Sequence, residues 1–201
     1  MIESRSREDA VEIEQRDASA APVIAGRAIV YYDGTPATEY RMAPDVVERI
    51  MPGAVTKRSL GADLFATYNH DKNAILGCLS AKTLRVELDE RGMTYEIDAP
   101  DTSAGRDVVV SLKRGDVRGS SFRFRVLHKD DFIRFADGDY IREIKRFDRI
   151  VDVGPVVDPA YVGATSEARS AERVREACAA IRAATRARMD RRHKLLELLA
   201  E

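Results

Sequence analysis

Between Pro22 and Thr165 the apolar positions fall in short runs separated by turn residues, a pattern that predicts strands more often than helices. Val23 to Tyr31 is one such run, closed by Asp33-Gly34. Ile75 to Leu88 and Met93 to Ala99 read as two strands of a hairpin joined at Asp89-Glu90-Arg91-Gly92. From Val117 to Leu127, Phe122, Phe124 and Val126 alternate with Ser121, Arg123 and Arg125, so one face is predicted buried. Tyr140 to Ile150 would return beside it after the Asp137-Gly138-Asp139 turn. Two helices are predicted to interrupt the series. One is Pro44 to Met51, stopped by Pro52-Gly53; the other starts near Asp101 or Thr102 and closes at Gly115. The sum is a mainly β fold with helices (α+β), a closed or nearly closed β-barrel flanked by helices.

Both ends differ from this centre. Residues 1–21 alternate charge with Ala and Ser and carry no sustained periodicity, which reads as a mobile leader in which nothing packs. Residues 166–201 lack Gly and Pro and are rich in Ala, Arg, Glu and Leu, the composition of a long helix. Its stripe, Val174, Cys178, Ile181 and then Leu195, Leu196, Leu198 and Leu199, is narrow and interrupted, so the helix is expected to seek a partner. The domain itself spans 22–165.

Composition narrows the classes. Lys+Arg number 33 against Asp+Glu 34, so no net charge draws the chain to nucleic acid. No apolar run approaches a membrane span, and the first residues lack the apolar core of a signal peptide, which predicts a cytoplasmic protein. Cys78 and Cys178 lie in unrelated segments without metal-ligand spacing, so they read as free thiols, with no metal or cofactor called for.

Nucleophilic hydrolysis needs a hydroxyl, an imidazole to take its proton and a group that orients the imidazole. The chain has three histidines. His193 sits among Arg191, Arg192 and Lys194 on the terminal helix and reads as a solvated surface residue. His128 lies seven residues past Ser121 on the same predicted strand, roughly 23 Å away, too far to serve it. His70 ends the Phe65 to Tyr68 segment at a turn; its plainer reading is a structural or exposed side chain. In Gly119-Ser120-Ser121-Phe122, alternation puts Ser120 on the Phe face and leaves Ser121 as the accessible hydroxyl, unless both are simply turn residues. Asp152, between Val151 and Val153, calls for a histidine or arginine partner, or else faces outward against one of the many nearby arginines.

Asn69-His70-Asp71 with Leu76-Gly77, Gly119-Ser120-Ser121-Phe122-Arg123-Phe124, Val151-Asp152-Val153-Gly154-Pro155-Val156 and Asp158-Pro159-Ala160-Tyr161 resemble, in this order, the prohead maturation proteases of tailed bacteriophages, the Hong Kong-ninety-seven type. The likeness runs from about Gly26 to Thr165 and includes Glu48-Arg49-Ile50, Pro52-Gly53-Ala54 and Asp101-Thr102 to Gly105-Arg106. The resemblance implies a serine endopeptidase related in fold to the herpesvirus assemblins. It puts the family's histidine on His70, its nucleophile on Ser121 and its acid on Asp152. Two positions depart from the family pattern: Asp152 stands where Glu is commoner, and Gly154 where Ser usually precedes Pro-Val. The implied substrates are the scaffold or delta domain of the major capsid protein, portal-associated proteins and the protease itself, cleaved inside the procapsid in the host cytoplasm. A homodimer follows by analogy with the assemblins, and neither cofactor nor metal is implied. The terminal helix would then bind scaffold or capsid protein.

Two rival readings stand beside this one. The first is a catalytically silent head-assembly scaffold or binding protein with the same fold. The second is a nucleic-acid-binding barrel using Arg118, Arg123, Arg125, Arg134, Arg142, Lys145, Arg146 and Arg149, for which a matching aromatic platform is missing and interleaved acids argue a solvated face. The reading preferred on these residues has no nucleic-acid partner and no membrane.

Overall fold

The computed structural model describes residues 2–7, 10–14, 21–61, 63–127, 131–136, 138–157 and 159–198, with side chains omitted for 159–169 and 193–198. Its strands are β1 Glu3–Arg7, β2 Val11–Glu14, β3 Val23–Val30, β4 Tyr40–Ala43, β5 Val46–Ile50, β6 Phe65–Thr67, β7 Ile75–Cys78, β8 Leu84–Asp89, β9 Gly92–Asp98, β10 Gly119–Arg125, β11 Asp131–Ala136, β12 Asp139–Ile144 and β13 Arg149–Val156. The helices are α1 Lys57–Leu60, α2 Ser103–Arg114 and α3 Pro159–Leu198.

The fold is mainly β with helices, but the expected barrel does not close among the described residues. The strands form three open sheets ordered β1-β10-β13-β6-β7, β11-β12-β5-β4 and β2-β3-β9-β8. Alternation along one strand reports a buried face but not its neighbours, and sheets packed face to face satisfy the same pattern as a barrel wall. The shared core includes Phe122, Phe124 and Phe147, whose rings meet pairwise with centroids 5.0 to 5.9 Å apart. Each buried aromatic of this kind contributes about 1.5–3 kcal/mol of apolar burial.

Several predicted elements recur in the structure. β8 and β9 form the expected hairpin, Leu84 opposite Ile97 through Asp89 opposite Gly92, but Ile75 to Leu88 is two strands rather than one, with β7 at the edge of a different sheet. α2 begins at Thr102, whose Oγ1 accepts from the Gly105 N–H at 3.1 Å, and ends at Gly115 with φ 78°, a left-handed cap suited to glycine.

Pro44 to Met51 is not a helix. Pro44 and Asp45 make the turn between β4 and β5, and Val46, Val47 and Ile50 are buried in β5. Adjacent β-branched residues favour the strand, and burial on both faces erases the alternation that would have marked it. Tyr140 to Ile150 is likewise two elements: β12 pairs with β11 and, in parallel, with β5, whereas β10 takes β13 and β1 as neighbours.

The charge-alternating first segment packs after all. β1 is an edge strand of the five-stranded sheet and β2 an edge strand of another, and Glu3, Ser4 and Arg5 are buried. Their cover is an ionic network that joins four strands to a helix. Arg5 Nε and Nη2 donate to Glu48 at 2.7 and 2.8 Å, and Arg142 reaches Glu3, Glu48 and Asp131 at 2.5 to 2.8 Å. Ser170 and Arg173 of α3 donate to Glu3 at 2.8 and 3.0 Å. Ala171 and Val174 pack against Met42 and Val46, and Cys178 is also buried. Residues 179–192 are then exposed, although Arg182 still stacks on the Phe135 ring of β11, so α3 is anchored as far as Arg182 and projects beyond it. Among the described residues no helix is long and apolar enough to cross a membrane.

Candidate active site

Ser121, Arg123, Asp152 and Gly154 share one face of the central sheet because β10 and β13 pair antiparallel, Ser121 opposite Gly154 and Arg123 opposite Asp152. The other face carries Phe122 and Phe124 into the core. Ser120 belongs to that inner face as the alternation predicts, and its Oγ donates to the Tyr95 hydroxyl at 3.2 Å. Burial pushes the Tyr95 phenol up despite that bond, so it stays neutral.

His70 arrives from a different direction. β6 runs parallel to β13, with Phe65 opposite Asp152, and the chain then turns through Asn69 and His70, both in the left-handed region with φ 50° and 60°. That conformation costs energy outside glycine, although Asn and His tolerate it better than most residues. Here it is held from several sides. The Asn69 N–H donates to the Pro155 carbonyl at 3.1 Å, the Asn69 side chain accepts from the Val157 N–H at 2.9 Å, and the Asp71 N–H donates to the Tyr68 carbonyl at 2.9 Å. The turn therefore fixes the imidazole over the sheet face.

The geometry is a chain of short hydrogen bonds. His70 Nδ1 lies 2.7 Å from Asp152 Oδ1, and His70 Nε2 lies 2.7 Å from Ser121 Oγ. Arg123 donates through Nε to Asp152 Oδ2 at 2.8 Å and adds a second bond from its terminal nitrogen. Burial works to raise the Asp152 carboxyl, but the bonds and charges of His70 and Arg123 outweigh it and hold the group below the usual carboxylate range. An ionised carboxylate only accepts, so Nδ1 is the donor and Nε2 is left to accept from the serine.

The structure thus brings His70, Ser121 and Asp152 together from three segments, and Asp152 has both of the partners weighed for it, histidine and arginine. Ser121 is not the accessible hydroxyl the sequence suggests: it is fully buried, with β1 paired along the edge of its strand. Ser6 Oγ donates to Ser121 Oγ at 2.9 Å, and Ser121 Oγ can donate to the Arg5 carbonyl oxygen at 2.9 Å as well as to His70. Arg5, Ser6 and Arg123 are the neighbours that sequence reasoning missed. Arg123 could have been read from its i+2 spacing to Ser121, but the first segment gives no periodic signal. His128 and Asp158 lie outside the described residues, as does the His193 side chain.

Gly154 has a local explanation. Its φ is 153°, and a β-carbon there would meet the Thr67 carbonyl oxygen at 2.0 Å, so no side chain fits while β6 lies this close.

Among the described residues no group of three or more His, Cys, Asp or Glu side chains is disposed to hold a metal ion. Four of the arginines that suggest a nucleic-acid surface have carboxylate partners: Arg123 with Asp152, Arg125 with Asp148, Arg134 with Glu143, and Arg142 inside the buried network. Cys78 and Cys178 are free thiols. No curated protein and no solved structure matches the chain. The family model described as caudovirus prohead serine protease matches residues 9–177, a span that contains the hydroxyl, imidazole and carboxylate aligned above. A match over so much of the sequence places this chain in the caudovirus prohead serine protease family.

Proposed function

We propose that the chain is the maturation endopeptidase of a phage procapsid, with Ser121 as nucleophile, His70 as general base and Asp152 as the group that orients the imidazole. His70 Nε2 takes the Ser121 proton as Oγ attacks the scissile carbonyl. Asp152 stabilises the imidazolium that results, and the same proton then goes to the leaving amine. Water hydrolyses the acyl-enzyme by the reverse sequence. Arg123 keeps Asp152 ionised, and so keeps Nδ1 protonated and Nε2 free to accept.

The observation that carries this reading is the imidazole bridging hydroxyl and carboxylate at 2.7 Å on each side. The substrates would be the scaffold or delta domain of the major capsid protein and the protease itself, within the procapsid in the host cytoplasm. The Hong Kong-ninety-seven type and the kinship with assemblins belong to the same proposal.

The projecting part of α3 supplies a capsid- or scaffold-binding segment. Since Ser170, Ala171, Val174 and Cys178 are buried and Arg182 stacks on Phe135, the separable piece begins after Arg182. Deleting residues 183–201 should leave peptide hydrolysis and abolish incorporation into procapsids.

Replacing Ser121 by Ala tests the enzymatic reading directly. Capsid-protein processing should fall by about 10⁴-fold or more with the fold retained. Normal processing by the folded variant would leave a silent assembly protein as the better description.

A further inference from the structure

An extended peptide presented to Ser121 by strand pairing can lie only along β10, because Ser121 is a residue of that strand. One edge of β10 is taken by β13, which supplies Asp152; the other is taken by β1. The far edge of the same sheet, β7, is three strands away, roughly 14 Å. A substrate that adds to this sheet next to the nucleophile must therefore occupy the place of Glu3–Arg7.

We propose that the seat of β1 is the peptide-substrate site, that it selects an extended segment with an acidic side chain followed two residues later by a basic one, and that β1 is its intramolecular competitor. This rests on the protease reading given above and goes on to the substrate and its control.

The two faces of β1 divide the work. Ser6 stands directly opposite Ser121, and its hydroxyl takes a lone pair of Oγ that attack would use. The Arg5 carbonyl oxygen accepts from Oγ and competes with His70 for its single proton. A carbonyl whose oxygen, rather than carbon, faces the nucleophile is not aligned for attack, so the strand blocks the site without being cut.

On the opposite face Arg5 and Glu3 enter the buried pockets. Arg5 forms a two-point pair with Glu48, and Glu3 meets Arg142 and Arg173. When β1 leaves, it takes one negative and one positive charge, Glu3 and Arg5, out of this network; its other cation, Arg7, lies apart over the Tyr40 ring and donates to the Ala37 carbonyl. The seat it vacates keeps Glu48 and Asp131 against Arg142 and Arg173, still balanced, which is the condition for a buried site to exchange one occupant for another. An arriving peptide must restore the same two charges in the same order. α3 holds β1 through Ser170 and Arg173, so anything that draws the helix away loosens the competitor.

The test uses the full chain. Arg5→Ala removes the anchor while Glu48 keeps its bond to Arg142; Arg5→Lys keeps the charge and serves where Arg5→Ala does not fold by circular dichroism. Labelling of Ser121 by a fluorophosphonate should accelerate at least about tenfold in the freed variant, as expected for losing one partner of a buried charge pair. A fluorescent peptide Ile-Glu-Ser-Arg-Ser-Arg should bind that variant by polarisation, and the same peptide with Glu in place of its first Arg should not.

Unchanged labelling with no peptide binding would overturn the proposal, while continued capsid-protein cleavage would leave the protease reading intact. Binding with the stated charge preference, but no label on Ser121 and no cleavage, would support the seat and defeat the protease reading instead.

Discussion

Arg123 stands directly across the β10–β13 pair from Asp152 and donates to Oδ2, while His70 Nδ1 engages Oδ1 of the same carboxylate. The acid is thus held by two cations or potential cations. The arginine, on the same face as Ser121, helps to keep it charged although it is buried.

Arg123→Met is expected to shift the acid limb of the rate profile upward in pH. Without the guanidinium, burial is less opposed and the Asp152 carboxyl is held down less, so the carboxylate that orients His70 is lost sooner as pH falls. The dependence of kcat/KM on pH, compared with the parent chain, checks this.

Asp152→Asn should reduce kcat by about 10⁴-fold while leaving substrate binding nearly unchanged. An amide can donate to Nδ1 and so favours the tautomer in which Nε2 carries the proton and cannot accept from Ser121. Single-turnover kinetics separate this effect from a change in binding.

Ser120→Ala should leave hydrolysis intact and cost about 1 kcal/mol of stability, the loss of one neutral hydrogen bond to Tyr95. Paired with Ser121→Ala, it distinguishes two adjacent, equally buried serines by face alone. Urea unfolding and a peptidase assay give the two readings.

Gly154→Ser is expected to destabilise this chain by about 3 kcal/mol or more. The added atom would overlap the Thr67 carbonyl, and the backbone angle is one that side chains resist. The shift in urea midpoint, together with loss of activity as β6 is displaced, is the measurement.

Acid should weaken the first strand. Burial raises the Glu3 carboxyl, but Arg142, Arg5 and Ser170 overcome it and hold the group far below its ordinary value. A carboxyl depressed in the folded state stabilises that state above its unfolded pKa and loses the contribution as pH falls. Stability should therefore decline from about pH 5 downward. Glu3→Gln should flatten that decline, as read by unfolding experiments between pH 7 and pH 3.

What one strand reveals about itself was legible in the sequence. The two-residue period of 120–126 separated Ser120 from Ser121 correctly, and Thr102 and Gly115 bounded α2 because capping is decided within one turn. The β8–β9 hairpin was legible for the same reason. Pairing between distant strands was not. Nothing local in 1–21 announces a strand, since Glu3 and Arg5 are buried only because Glu48, Arg142 and α3 supply the opposite charges. Nor does β5 declare itself when both of its faces are covered. The sequence by itself determined the residue types available to the site and the opposite faces of Ser120 and Ser121. Tertiary structure decided that three open sheets replace a barrel, that His70 reaches both Asp152 and Ser121, and that β1 pairs beside the serine. The last two depend on contacts more than 50 residues apart in the chain, which periodicity cannot register.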